Sequence, residues 1–258
     1  MTGFHVVIPA RYGSSRLPAK PLALIHGVPM VVQTARSVAR SSPATLIVAT
    51  DDQRIASVVE AAGFAVMMTR EDHASGSDRV LEVAERMRWS DDSIVINVQG
   101  DEPLMPPQVI VQLASALAEG SQGVATLCER LERIEDVFNP NVVKVVSDRE
   151  QNGMYFSRAP IPWRRSDFAK LSESGNGQRM DDQPGWFRHI GIYGWRVGML
   201  RRFVSLPPSG LEQTEVLEQL RLLEAGIRIR VLEAVMSVPG GVDTAADLER
   251  VNRSTGRT

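Results

Sequence analysis

A single cysteine, Cys128, leaves the chain without an internal disulfide and without a cysteine-built zinc site. It lies in the apolar stretch 124–128 and reads as a small core residue. Lysine is scarce: Lys20, Lys144 and Lys170 are the only three. Charge of one sign is lacking too, since 29 Lys and Arg against 31 Asp and Glu leave a formal net charge of −2. That excludes the broad positive field on which phosphate-neutralising nucleic-acid binders rely. No apolar run approaches the roughly 18 residues that a membrane span needs. The first residues lack a basic segment and read as a buried strand rather than a signal peptide, so the expected location is the cytoplasm. The four histidines, His5, His26, His73 and His189, show no metal-ligand spacing. No G-x-G-x-x-G follows the first strand, and neither G-x-x-x-x-G-K-[ST] nor G-x-S-x-G occurs. The common dinucleotide cradle, the Walker loop and the hydrolase elbow are therefore excluded.

What is present is an ordinary globular composition, 43% apolar and 23% charged over 258 residues. The length allows a sizeable core, read here as one domain over 1–258. Strand-like and helix-like segments alternate. Strands are predicted over 4–8 (ended by Pro9), 46–49, 64–68 and 93–98, and helices over 30–40, 53–62, 77–88 and 109–118. In the helix 30–40 the inward spacing comprises Met30, Val31, Thr34, Ala35 and Val38. Asp51 and Asp52 can cap the second helix, and Gly63 ends it. Strands separated by helices at this spacing imply βαβ units and a mostly parallel sheet flanked by helices. The second half is less regular. Strands are predicted over 142–146, 154–157, 188–195 and 227–235, helices over 214–225 and 245–252, and a polar surface loop over 166–185.

In an open α/β sheet, ligands gather beyond the carboxyl ends of the strands. Three segments there carry unusual residues. The first, IPARYGSSRLPAKP at 8–21, holds Arg11, Arg16 and Lys20 around Gly13, Ser14 and Ser15. Small residues let backbone N–H groups converge on an anion, and the cations suit phosphate oxygens; an ordinary solvated loop explains the same residues equally well. The second, VQGDEP at 98–103, puts Asp101 and Glu102 directly after a buried strand. Carboxylates facing a phosphate loop suit Mg²⁺, although an Asp-Glu-Pro turn can also simply cap the next helix. The third, PGGVDT at 239–244, offers Asp243 as a second metal ligand or as the cap of the last helix.

These residues belong to a longer series. With the opening segment come SGSDR at 75–79, NVQGDEP at 97–103, NPNVVKVV at 139–146, YFSR at 155–158, RHIGIY at 188–193, LEQLR at 217–221 and GVDT at 241–244. In this order they resemble the 3-deoxy-manno-octulosonate (KDO) cytidylyltransferases over nearly the whole chain. The resemblance implies a Rossmann-like α/β fold with an additional β region used in dimerisation. It implies the reaction of CTP with KDO to CMP-KDO and diphosphate, with Mg²⁺, for lipopolysaccharide synthesis. It places Arg11, Lys20 and Asp101 at catalytic positions, and Arg11, Lys20, Ser77, Arg79 and Gln99 around the nucleotide. Gln99, His189, Tyr193 and Glu212 fall on the sugar side, and Asp101 and Asp243 on the metal. Two departures stand out: Ser77 replaces an expected threonine, and the turn before Asp243 is one residue short. A cytidylyltransferase for another acidic sugar, an aminated KDO or a sialic acid, is the second reading. A non-catalytic nucleotide binder on the same fold is the third.

Overall fold

β1 (Phe4–Ala10) is a run of apolar residues that no single face can account for. Val6 and Ile8 pack into one core cluster, and Val7 packs into another. Successive strand side chains point to opposite faces, so β1 is buried on both sides, as in parallel sheets covered by helices. The computed structural model describes residues 3–13, 17–165 and 185–254.

β4 (Thr45–Thr50) and β6 (Ile94–Asn97) flank β1 in parallel, and β5 (Ala65–Met68) extends the sheet beyond β4. On the other side β10 (Phe187–Arg196) runs antiparallel between β6 and β7 (Val124–Arg130), and β11 (Arg230–Glu233) pairs parallel to β7. The order is β11-β7-β10-β6-β1-β4-β5, with β8 (Lys144–Ser147) and β9 (Gly153–Ser157) hung on β10 as an antiparallel pair. A two-stranded hairpin, β2 (Leu24–Ile25) and β3 (Val28–Pro29), stands apart. The mixed, mostly parallel sheet flanked by helices agrees with the sequence reading.

One face is covered by α1 (Met30–Ala39), α2 (Gln53–Ala61) and α4 (Pro107–Glu119). The other carries α3 (Gly76–Arg86), α6 (Val197–Ser205) and α8 (Gln219–Glu224). Side chains close the helix starts: Asp52 accepts the N–H of Arg54 for α2, and Ser75 with Asp78 forms a capping box for α3.

Several expectations need correction. β1 does not end at Pro9 but runs to Ala10. Val98 donates to Val7 O at 3.2 Å, so position 7, and with it position 9, turns its backbone groups toward β6. Pairing with β6 ends at Val7 and Asn97. The N–H that proline lacks is therefore missing where β6 has already left the sheet, so it costs no ladder bond. The helix expected over 214–225 is two helices, α7 (Gly210–Glu215) and α8, broken at Val216 with φ 53°. β7, α5 (Ile134–Phe138) and α6 were not assigned from the sequence. The predicted loop 166–185 lies, apart from Gly185, outside the described residues.

Candidate active site

β1 is a topological switch point: the chain runs outward from it through β4 to β5, then returns through α3 to β6 on its other side. Between the carboxyl ends of β1 and β6 lies a cleft in two connected parts. Pro9, Ala10, Arg11 and Gln99 line both.

The smaller part, about 260 Å³, holds Lys20, Asp101 and Asp243. Lys20 opens a 3₁₀ turn, Lys20–Leu22, directly after Ala19 in the left-handed region at φ 53°. Its side chain is only 15% exposed, and its ammonium donates to Asp101 Oδ2 and to Asp243 Oδ1, the latter at 2.8 Å. Burial alone would depress the Lys20 pKa, but the two carboxylates outweigh it and the pKa is raised. Residues 223 positions apart thus meet at one point. The short turn before Asp243 does reach: Val242 donates to Asp101 O at 2.9 Å. Gly241 makes that approach tolerable, since a Cβ there would lie 2.9 Å from Glu102 Oε1. Asp243 does not cap the last helix, α9 (Ala245–Ser254). Thr244 does: Asp247 N–H donates to its Oγ1 at 3.2 Å, and Asp247 Oδ2 accepts the Thr244 N–H at 3.0 Å. The Asp243 carboxylate instead meets Lys20 in the cleft.

The larger part, about 420 Å³, is walled by the start of α3, by the inward face of β10 and by the α7–α8 break. Ser77 and Arg79 are buried in the first turns of α3. Arg79 is held in place by Asp51 Oδ2 at 2.6 Å and by Thr69 Oγ1. His189, Gly191, Tyr193 and Trp195 alternate along β10 and face the cleft together. The His189 N–H donates to Val143 O at 2.7 Å, and its Nε2 meets Thr126 Oγ1 at 3.0 Å. Burial, reinforced by Arg188, pushes the His189 pKa down to about 3, so its imidazole is neutral at physiological pH. Burial also raises the Tyr193 pKa. Cys128, pushed up to about 12 by burial, is an inert core thiol.

Glu212 is not part of the cleft wall. It closes the α7 capping box with Ser209 and forms an ion pair with Arg221, whose Nε lies 2.7 Å from Glu212 Oε2. Arg221 in turn stacks over Phe203, which does line the cleft. The glutamate facing the cleft is Glu218, followed by Gln219. Burial raises the Glu218 pKa against the opposing pull of Arg221. Glu218 lies in the LEQLR segment, six residues beyond Glu212. Ser14, Ser15 and Arg16 lie outside the described residues.

The sequence pattern of the cytidylyltransferase family matches residues 5–229. The 3-deoxy-manno-octulosonate cytidylyltransferase of Alcanivorax borkumensis is 50% identical over 98% of both chains, and that of Pseudomonas fluorescens 51% over the same shares. The chain belongs to the 3-deoxy-manno-octulosonate cytidylyltransferase family. It is a nucleotidyltransferase. A solved CMP:2-keto-3-deoxy-manno-octonic acid synthetase complexed with CTP is 41% identical, covers 97% of each chain and superposes with a TM-score of 0.85. A cytidylyltransferase from Leptospira borgpetersenii, 13% identical with a TM-score of 0.57, shares the fold. For a cytidylyltransferase the two-part cleft is of the right kind: Arg11 and Lys20 at one end, a wall of mixed polar and aromatic side chains at the other, and Gln99 at the junction.

Proposed function

We propose that the protein transfers the cytidylyl group of CTP to KDO, releasing diphosphate and supplying the activated sugar for lipopolysaccharide synthesis. The observation that carries this reading is the single cleft joining Lys20, Asp101 and Asp243 to His189, Tyr193 and Glu218 through Arg11 and Gln99. The anomeric hydroxyl of KDO attacks the α-phosphorus of CTP in line. A new O–P bond forms, the bond to the β-phosphate oxygen breaks, diphosphate leaves with the electron pair, and the hydroxyl proton passes to solvent. Such a transfer needs positioning and charge stabilisation rather than a protein nucleophile.

Arg11 and Lys20 bind the phosphates, and Ser77 and Arg79 the nucleoside end. His189 and Tyr193, with Glu218 in the place expected for Glu212, orient the sugar acid. Gln99 touches both substrates. Two aspartates converging on one cation fit Mg²⁺, which binds through one or two carboxylates plus substrate phosphates. Asp101 and Asp243 would hold it, and it would neutralise charge on the phosphates. Residues 1–258 act as one catalytic domain in the cytoplasm, where CTP is available. The chain works as a homodimer through its β8–β9 region; exposed Met154 and Trp163, on β9 and just beyond it, support that surface.

The test is diphosphate release by purified protein offered CTP, ATP, GTP or UTP with KDO, with and without Mg²⁺. Turnover confined to CTP, KDO and Mg²⁺ is expected. Equal turnover with ATP, or none with KDO, overturns the reading.

A further inference from the structure

The inward face of α1 is apolar except for two hydroxyls. Thr34 is 0% exposed and Ser37 5%, among Met30, Val31, Ala35 and Val38. A buried hydroxyl costs free energy unless it finds a partner. Each finds one outside the helix. Thr34 Oγ1 lies 3.0 Å from Gly100 O as well as 3.1 Å from Met30 O. Its one proton is shared between the two carbonyls: toward Met30 O it makes the ordinary back-bond of a helical threonine, and toward Gly100 O it joins α1 to the segment after β6. Ser37 Oγ donates to Met105 O at 2.7 Å and accepts Arg40 Nη2 at 3.2 Å, which fixes where its one proton goes.

These two acceptors bracket the segment that carries Asp101. Gly100 is pressed against the end of β1, where a Cβ would lie 3.1 Å from Pro9 O. The carbonyl of Asp101 takes the Val242 N–H, and Val242 precedes Asp243. The loop 100–105 is therefore pinned at both ends by α1, and its Asp101 carbonyl holds the backbone that leads into the second carboxylate.

We propose that Thr34 and Ser37 are positioning residues for the two-carboxylate cation site. They hold the backbone of 100–105 so that Asp101 and Asp243 meet at one point. The inference rests on the reading that these aspartates hold a divalent cation. Mg²⁺ demands near-ideal octahedral geometry, so a small drift of one carboxylate is felt as lost affinity. Supporting groups behind metal ligands typically change affinity by about 10–100-fold when removed.

Thr34→Val keeps the shape and deletes the hydroxyl, whereas Thr34→Ser keeps the hydroxyl and deletes the methyl. Mn²⁺ serves as the probe, its binding to the CTP-bound protein followed by electron paramagnetic resonance beside melting temperature. Thr34→Val is expected to weaken Mn²⁺ binding about tenfold. It should raise the Mg²⁺ concentration for half-maximal rate by a similar factor and leave KM for KDO unchanged. Thr34→Ser stays close to wild type in Mn²⁺ affinity even if its melting temperature falls, and Ser37→Ala shifts affinity in the same direction as Thr34→Val. Wild-type Mn²⁺ affinity in Thr34→Val, or equal losses in the Val and Ser variants tracking their melting temperatures, overturns the inference. A wild-type protein that turns over CTP and KDO but binds no Mn²⁺ overturns the cation reading, and the inference falls with it.

Discussion

Asp243 separates a structural from a chemical role at a single atom. Because Thr244 takes the helix cap, Asp243→Asn removes no capping bond. Its melting temperature should stay near that of wild type. Its rate should fall by roughly 10²-fold or more, the scale for losing one charge-stabilising group. The Mg²⁺ needed for half-maximal rate should rise, as it should for Asp101→Asn. Normal rate and Mg²⁺ dependence in Asp243→Asn would mean that Asp101 works without it. His189 makes a second residue-scale prediction. Its folded pKa of about 3 lies below the ordinary 6.5 because burial disfavours the imidazolium. The unfolded chain takes up a proton that the folded chain refuses, so stability is lost as pH falls from 6.5 toward 3. Over that window the slope from one such group is about 1.4 kcal/mol per pH unit. Urea midpoints across pH check this: His189→Gln should flatten the acid limb relative to wild type. Parallel limbs would place the sensitivity elsewhere.

Among elements, the sequence was legible where periodicity alone decides. β1, β4, β6, β10 and the helices α1 to α4 stood where apolar spacing put them. The α7–α8 segment did not, for a definite reason. Nothing in an apolar pattern marks a β-branched residue in the left-handed region, and Val216 stands there at φ 53°. A continuous helix would have carried Glu218 and Gln219 on a different course; the break turns them into the cleft. Acidity alone does not separate Glu212 from Glu218, although only Glu218 lies in LEQLR at 217–221. Contacts separate them. The Glu212 carboxylate spends its acceptors on Ser209 N–H and the Arg221 fork. Burial works against its charge, but those bonds hold its pKa below the usual range. Glu212→Gln should therefore lose about 1–3 kcal/mol, the range for an N-terminal cap or a partnered buried charge. Denaturation midpoints measure that loss, and KM for KDO should not move. Glu218→Gln should do the reverse, raising KM for KDO with little change in stability. Equal KM effects from both would return Glu212 to the sugar side.

At the scale of the whole molecule the site is a consequence of strand order. Its carboxylates were readable as candidates because each follows a predicted strand, and the resemblance put both on one metal; strand order alone does not bring them together, since β6 and β11 are separated by β10 and β7. What closes the distance is backbone: Val242 on Asp101 O, and Lys20 between the two side chains. A ligand that spans the cleft therefore touches β1, the segment after β6, α3 and the segment before α9 at once. Binding to the folded chain alone stabilises it by mass action, about 2.7 kcal/mol at a hundredfold excess over Kd. For a domain of this size each kcal/mol moves the melting temperature by about 2–4 °C. CTP with Mg²⁺ at that excess should then raise it by about 5–11 °C, the product of those two ranges. CTP with chelator should give only part of the shift, from Arg11, Ser77 and Arg79. In Asp101→Asn and Asp243→Asn the two shifts should coincide, because the Mg²⁺-dependent share is carried by the carboxylates. A full shift with chelator in the wild type would detach nucleotide binding from the cation site. An undiminished Mg²⁺ increment in both variants would place the cation on the phosphates alone.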